Sequence, residues 1–157
     1  MQTAIAKPKN YSTIQKSLHW LVALLIMGQL ISGDSMSAAW RAFERSVDAS
    51  GFSTPLVLFH IWAGLSITVF AAWRLWLRLT LGVPDLPKEE PLPMRIAAHA
   101  THIALYGLMF IAPITGAATY FGGFSQLGEI HELAKPAFIG LVLLHASGAL
   151  YQHFLLD

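Results

Sequence analysis

The sequence predicts an all-α integral membrane protein, a four-helix bundle with both termini in the cytoplasm. Composition is the first reason: 55% of the 157 residues are hydrophobic and 12% are charged, about half the charge of an ordinary soluble domain. The second is segmentation, because apolar runs at 17–33, 55–77, 96–121 and 133–156 each approach the roughly 20 residues that a helix needs to cross a bilayer. The third is what separates them, Gly, Pro, Ser and charged residues that break helices and favour loops. Length and continuity suit a single domain over 1–157.

The first span follows Lys7, Lys9 and Lys16. Basic residues before an apolar run, with SMSAA after it, also fit a cleaved signal peptide; the long leader and the histidine inside the run favour a retained span. In the loop that follows, AAWRAFERSV fits a short interfacial helix. The second span leads into GVPDLPKEEPLPMR, and the third contains Pro113 and Gly116, a kink site whose freed carbonyl neighbouring helices can satisfy. GGFSQLGEIHE then introduces the fourth. Lys7, Lys9, Lys16, Arg74, Arg78, Lys88 and Arg95 fall on one side of the membrane, against Arg41, Arg45 and Lys135 on the other. The positive-inside rule therefore puts both termini in the cytoplasm. Trp and Tyr residues gather near span ends, where an aromatic belt or cofactor packing uses them.

Several chemistries are excluded. The chain has no cysteine, hence no disulfide, thiolate zinc site, cysteine-bound iron–sulfur cluster or covalent c-type haem. A net charge of +1 offers no basic surface for nucleic acid. No serine-nucleophile motif, phosphate loop or paired intramembrane carboxylates occur; Asp34, at a span edge, reads as a solvated helix end.

Seven histidines are the unusual polar resource. In HELAKPAFIGLVLLH, His131 and His145 are fourteen residues apart, about 21 Å along a helix with a net rotation of about 40°. Both face one way at different depths. Comparing depths pairs His60 with His131 at the outer level and His19 with His145 at the inner level. Neutral imidazoles are strong axial ligands for haem iron, and two of them around an apolar macrocycle offset the cost of burying polar rings. Gly64 and Gly148, four and three positions after a histidine, leave room on the same face. Arg74, fourteen residues after His60, aims a cation at the inner level, where haem propionates need one; as a plain reading it is a snorkelling anchor. His99 and His102, three apart, share a helix face and suit a metal, the interface, or a hydrogen bond to a propionate or quinone. His153 suits proton handling beside a quinone, or the headgroups.

The stretches YSTIQKSLHWLVALL, FHIWAGLSITVFAAWRLWLRL, HATHIALYGLMFIAPITG and HELAKPAFIGLVLLHASGAL resemble, in that order and over nearly the whole chain, the bacterial cytochrome b561 family of four-helix, di-haem membrane cytochromes. The resemblance implies a multi-pass protein of the bacterial inner membrane, embedded in lipid. It assigns His19 and His145 to one haem b and His60 and His131 to the other, the pairs that depth alone gives. The most similar branch is that of superoxide oxidase, which implies superoxide as donor outside and ubiquinone as acceptor inside. On that reading Arg41, Arg45 and Lys135 attract the superoxide anion, and Gln152, His153 and Arg74 lie near the quinone. Similar members carry two adjacent histidines where this chain has Gln152 and His153, and they continue into a basic tail beyond the position of Asp157, which implies a truncated sequence. Two other functions fit: a membrane subunit relaying electrons between a partner redox protein and quinone, and a haem-free transporter or metal-handling protein.

Overall fold

The computed structural model describes residues 8–46, 48–85 and 91–155; Lys7, Lys88 and Asp157 lie outside them. Five helices follow in order, α1 Thr13–Ser46, α2 Pro55–Leu81, α3 Leu92–Gly122, α4 Gln126–Glu132 and α5 Ala134–Leu155, with a 3₁₀ turn at Ser50–Ser53 before α2. The described residues include no strand. α1, α2, α3 and the joined α4–α5 segment are each long and apolar enough to cross a membrane.

Local chemistry explains the helix ends. Ser12 and Gln15 form a reciprocal cap: the Gln15 backbone N–H donates to Ser12 Oγ at 3.3 Å and the Ser12 N–H to Gln15 Oε1 at 2.9 Å, which satisfies two donors that a helix start leaves open. Pro55 opens α2, where its missing N–H costs nothing. α3 ends at Gly123, left-handed at φ 72°, with Phe124 N–H reaching back to the Ala118 carbonyl.

Two boundaries differ from the sequence expectation. The region 34–46 is not a loop with a separate interfacial helix; the stretch 38–46, AAWRAFERS, forms the last turns of α1. At 34 residues and 1.5 Å each, α1 is about 51 Å long, well beyond the roughly 30 Å hydrocarbon layer. Its projecting end is held by tertiary contacts: the Ala39 Cβ lies 3.0 Å from where a side chain on Gly51 would begin, Ser37 donates to Glu132 at 3.4 Å, and Lys135 pairs with Asp34 at 2.5 Å. These outweigh the modest helix penalty of Gly33 and its polar neighbours. The fourth span is also not one uninterrupted helix from 133. His131 sits in the last turn of α4, and α5 starts after Leu133. Pro136 explains the break, since it cannot donate to the Glu132 carbonyl and its ring crowds that turn.

The buried core draws on all four spans: Val22 and Ile26 from α1, Ile67 and Ala71 from α2, Met109 and Ala112 from α3, Ala134 and Phe138 from α5. α1 packs against α2, and α3 against the α4–α5 segment, with α2 and α3 in contact to join the two hairpins. Outside, Trp20, Ile31, Trp62, Leu79, Ile103 and Phe154 are exposed, the surface a lipid-facing bundle presents.

Candidate functional site

At the end of the bundle that the charge bias reads as outer, α1, α2, α3 and α4 bring one imidazole pair together. His60 of α2 and His131 of α4 have ring centroids 6.0 Å apart. His131 Nδ1 lies 2.8 Å from the Ala112 carbonyl oxygen, which only accepts, so Nδ1 is the protonated nitrogen and Nε2 keeps its lone pair. His60 Nδ1 lies 3.1 Å from Ser32 Oγ. The Ser32 hydroxyl donates to the Gly28 carbonyl at 2.8 Å, which leaves an oxygen lone pair to accept Nδ1–H and again frees Nε2. Gln29 Nε2 donates to the His60 carbonyl at 2.8 Å and fixes the same turn of α2. A side chain at Gly116 would begin 2.8 Å from His131 Cε1, so α3 accepts that ring only because residue 116 is glycine. Gln29, His60, Ala112, Gly116 and His131 line a cavity of about 720 Å³, within the size range of small-molecule and cofactor sites.

At the opposite end, which the charge bias reads as inner, His19 of α1 and His145 of α5 are likewise 6.0 Å apart. His102 of α3 lies closer to His145, at 4.9 Å and edge-on, while its Nδ1–H donates to the Ala98 carbonyl at 2.7 Å. Arg74 Nη2 is 3.1 Å from His19 Nδ1, and the guanidinium also lies 5.8 Å from the Tyr106 ring centroid, a cation–π distance. Arg74 reaches the inner level as its spacing predicts, and it meets His19. A guanidinium can only donate, so His19 Nδ1 accepts and its Nε2 bears the proton, the reverse of the outer pair. For His19 to present Nε2 to a metal, Arg74 must leave Nδ1.

The remaining sequence candidates are more scattered. Lys135 and Arg41 line the outer cavity, Arg45 does not, and Lys135 is paired with Asp34. Asp34, Glu44, Glu129 and Glu132 line the same cavity, so carboxylates outnumber cations at its mouth. Gln152 and His153 sit in the last turns of α5, with the His153 ring 4.9 Å from Phe154. His99 Nδ1 donates to the Arg95 carbonyl at 2.8 Å, and the described residues contain no group of three or more His, Asp or Glu arranged to hold a metal ion. Gly64 and Gly148 have no atom within crowding distance; the glycine that admits a histidine ring is Gly116.

Residues 10–157 match the family model for prokaryotic cytochrome b561. The chain belongs to the prokaryotic cytochrome b561 family. Among relatives, it is 31% identical to cytochrome b562 of Cereibacter sphaeroides over 147 residues, covering 94% of this chain and 89% of that one. It is 28% identical to a probable superoxide oxidase CybB of Yersinia pestis, covering 90% and 70%, and 25% identical to cytochrome b561 homolog 2 of Escherichia coli, covering 94% and 87%. As a cytochrome b561 it is a multi-pass membrane electron-transfer protein, and the family implies haem b.

The donor chemistry fits that group. Two imidazoles on opposite sides of one metal ion, each bonded at about 2.0–2.1 Å, need ring centroids about 6 Å apart, the spacing of both pairs. The His102–His145 separation is too short for this and is a ring contact. Sequence reasoning missed Ser32, Gln29 and the Ala112 carbonyl. A signal existed for the first two, since Gln29 and Ser32 are polar, three apart and embedded in an apolar run, hence on one face of α1.

Proposed function

We propose that this cytochrome b561 is a di-haem electron conductor that oxidises superoxide at its outer face and reduces ubiquinone at its inner face. Bound haem b supplies a one-electron iron couple at each level. His60 and His131 hold the outer group and His19 and His145 the inner one, with residues 1–157 acting as one membrane domain and both termini in the cytoplasm. The observation that supports this most is the repetition of the 6.0 Å imidazole pair at both ends of the bundle. His60 and Arg74, fourteen residues apart on unbroken α2, set the levels about 21 Å apart.

Each residue then has a definite task. Ser32 and the Ala112 carbonyl orient the outer imidazoles. With haem bound, Arg74 would leave His19 Nδ1 for a propionate, and Nδ1 would then carry the proton. Gln152 and His153 serve the quinone and its protons near the inner surface. Two superoxide anions give two dioxygen molecules and two electrons, and these with two protons from the inner side convert one quinone to quinol. Arg41 and Arg45 steer the anion, whereas Lys135 is already engaged by Asp34.

A second reading, a relay for a partner redox protein, is favoured by the four carboxylates at the outer mouth, which complement a basic protein surface. Two measurements test these readings. Reduced-minus-oxidised spectra of the purified protein should show b-type bands and two haems per chain, and His131→Ala should remove the outer haem while sparing the inner; equal loss of both defeats the assignment. Mixing with superoxide and a ubiquinone analogue should accelerate quinone reduction. If it does not, and a basic redox protein reduces the haems instead, the relay is the function.

A further inference from the structure

The polar partner of His60 is unusual for its position. Ser32 lies within the apolar part of α1 and is 1% exposed. Its oxygen sits 2.8 Å from the Gly28 carbonyl, 3.4 Å from the Gln29 carbonyl and 3.1 Å from His60 Nδ1. A serine in a helix interior needs only the first of these contacts to satisfy its hydroxyl, so the approach to His60 is an additional interaction across two helices. The carbonyl bond consumes the only hydrogen, which forces the oxygen to act toward His60 as an acceptor.

We propose that Ser32 is a positioning residue that fixes the His60 ring and lowers the reduction potential of the outer haem. The proposal rests on the assignment of His60 as an outer-haem ligand. An acceptor on Nδ1–H pulls that proton outward and makes the opposite nitrogen a stronger donor, which favours the higher oxidation state of a metal bound there; such partners orient a ligating histidine and tune its basicity. His131 receives the same treatment from the Ala112 carbonyl. Ser32 is the only side chain among the described residues that supplies this outer bias through a hydrogen bond to an imidazole.

The test is a redox titration of the purified holoprotein, wild type against Ser32→Ala and Ser32→Thr, with haem content and ferric electron paramagnetic resonance recorded on each sample. Ser32→Ala should retain two haems, raise the outer potential by an amount corresponding to a several-fold to tenfold change in the oxidised-to-reduced ratio (tenfold is 59 mV for one electron), alter the outer ferric signal and leave the inner one in place. Ser32→Thr, which keeps the hydroxyl, should restore the wild-type potential. If Ser32→Ala lowers outer-haem occupancy instead, Ser32→Cys decides, because its sulfur fills the site but accepts poorly: an upward shift supports the proposal and a wild-type potential overturns it. An unchanged outer potential in fully loaded Ser32→Ala also overturns it. His60→Ala separates this from the parent assignment: if that variant keeps both haems, His60 is not a ligand, whereas loss of one haem together with an inert Ser32→Ala condemns only the role given to Ser32.

Discussion

Gly116 and His131 state the design at the scale of single residues. The His131 ring is held against α3 by its bond to the Ala112 carbonyl, and an added methyl at position 116 would begin 2.8 Å from its Cε1 and 3.0 Å from its Nδ1. The ring cannot retreat without losing that bond. On the proposed assignment, Gly116→Ala should therefore empty the outer haem site preferentially, even though alanine is the better helix former by about 1 kcal/mol. Haem quantitation with visible spectra checks this; full outer occupancy in the variant would mean that the ring has another place to go. Gly140→Ala, with no atom within 4 Å of the new methyl, is the matched control that should bind haem normally. At this scale the sequence was only partly readable. Spacing along one chain gives the depths of His19, His60, His131 and His145, but which carbonyl or hydroxyl faces a given ring depends on rotation and register between helices. Arg74 is the instructive case: its depth follows from arithmetic, while its contact with His19 follows from the packing of α1 against α2.

Among the elements, the end of α2 has the most specific backbone requirement. Gly82 adopts φ 73° with ψ −174°, a region essentially reserved for glycine and costing about 1–3 kcal/mol for other residues. Its carbonyl accepts from Gln15 Nε2 at 3.1 Å, which ties the start of α1 to the end of α2, and Pro8 Cδ lies 3.3 Å from where a side chain would begin. Gly82→Ala should lower stability by about that amount without changing the haem spectrum, as thermal unfolding in detergent would read; an unaltered melting temperature would show that the turn relaxes freely. The helices themselves are legible because hydrophobic length is what a bilayer demands of a span. The boundaries were less so. Local signals around Gly33, Asp34 and Ser35 suggest a break, yet contacts with the 3₁₀ turn, α4 and α5 extend α1 to Ser46, and such contacts have no signature in the local sequence.

For the whole molecule, the membrane orientation expected from charge is directly measurable, because a chain without cysteine has no background labelling. In spheroplasts, an impermeant maleimide should label Ser50→Cys, exposed in the 3₁₀ turn, and spare Asn10→Cys, exposed before α1, until the membrane is broken. The opposite pattern would invert the bundle and exchange the outer and inner assignments. The class of the molecule and its histidine levels were open to reading from composition and spacing. The charge at the cavity mouth was not, since Glu44, Glu129 and Glu132 come from segments remote in sequence and meet only in the fold. Chain order gives the histidine pairs one more meaning. Each pair joins an early helix, α1 or α2, to the last segment, α4–α5. Synthesis and insertion proceed from the N-terminus, so neither pair is complete until the α4–α5 segment carrying His131 and His145 is being made. On the proposed assignment, haem capture at either level must wait for the α4–α5 segment, whose entry into the membrane completes both pairs.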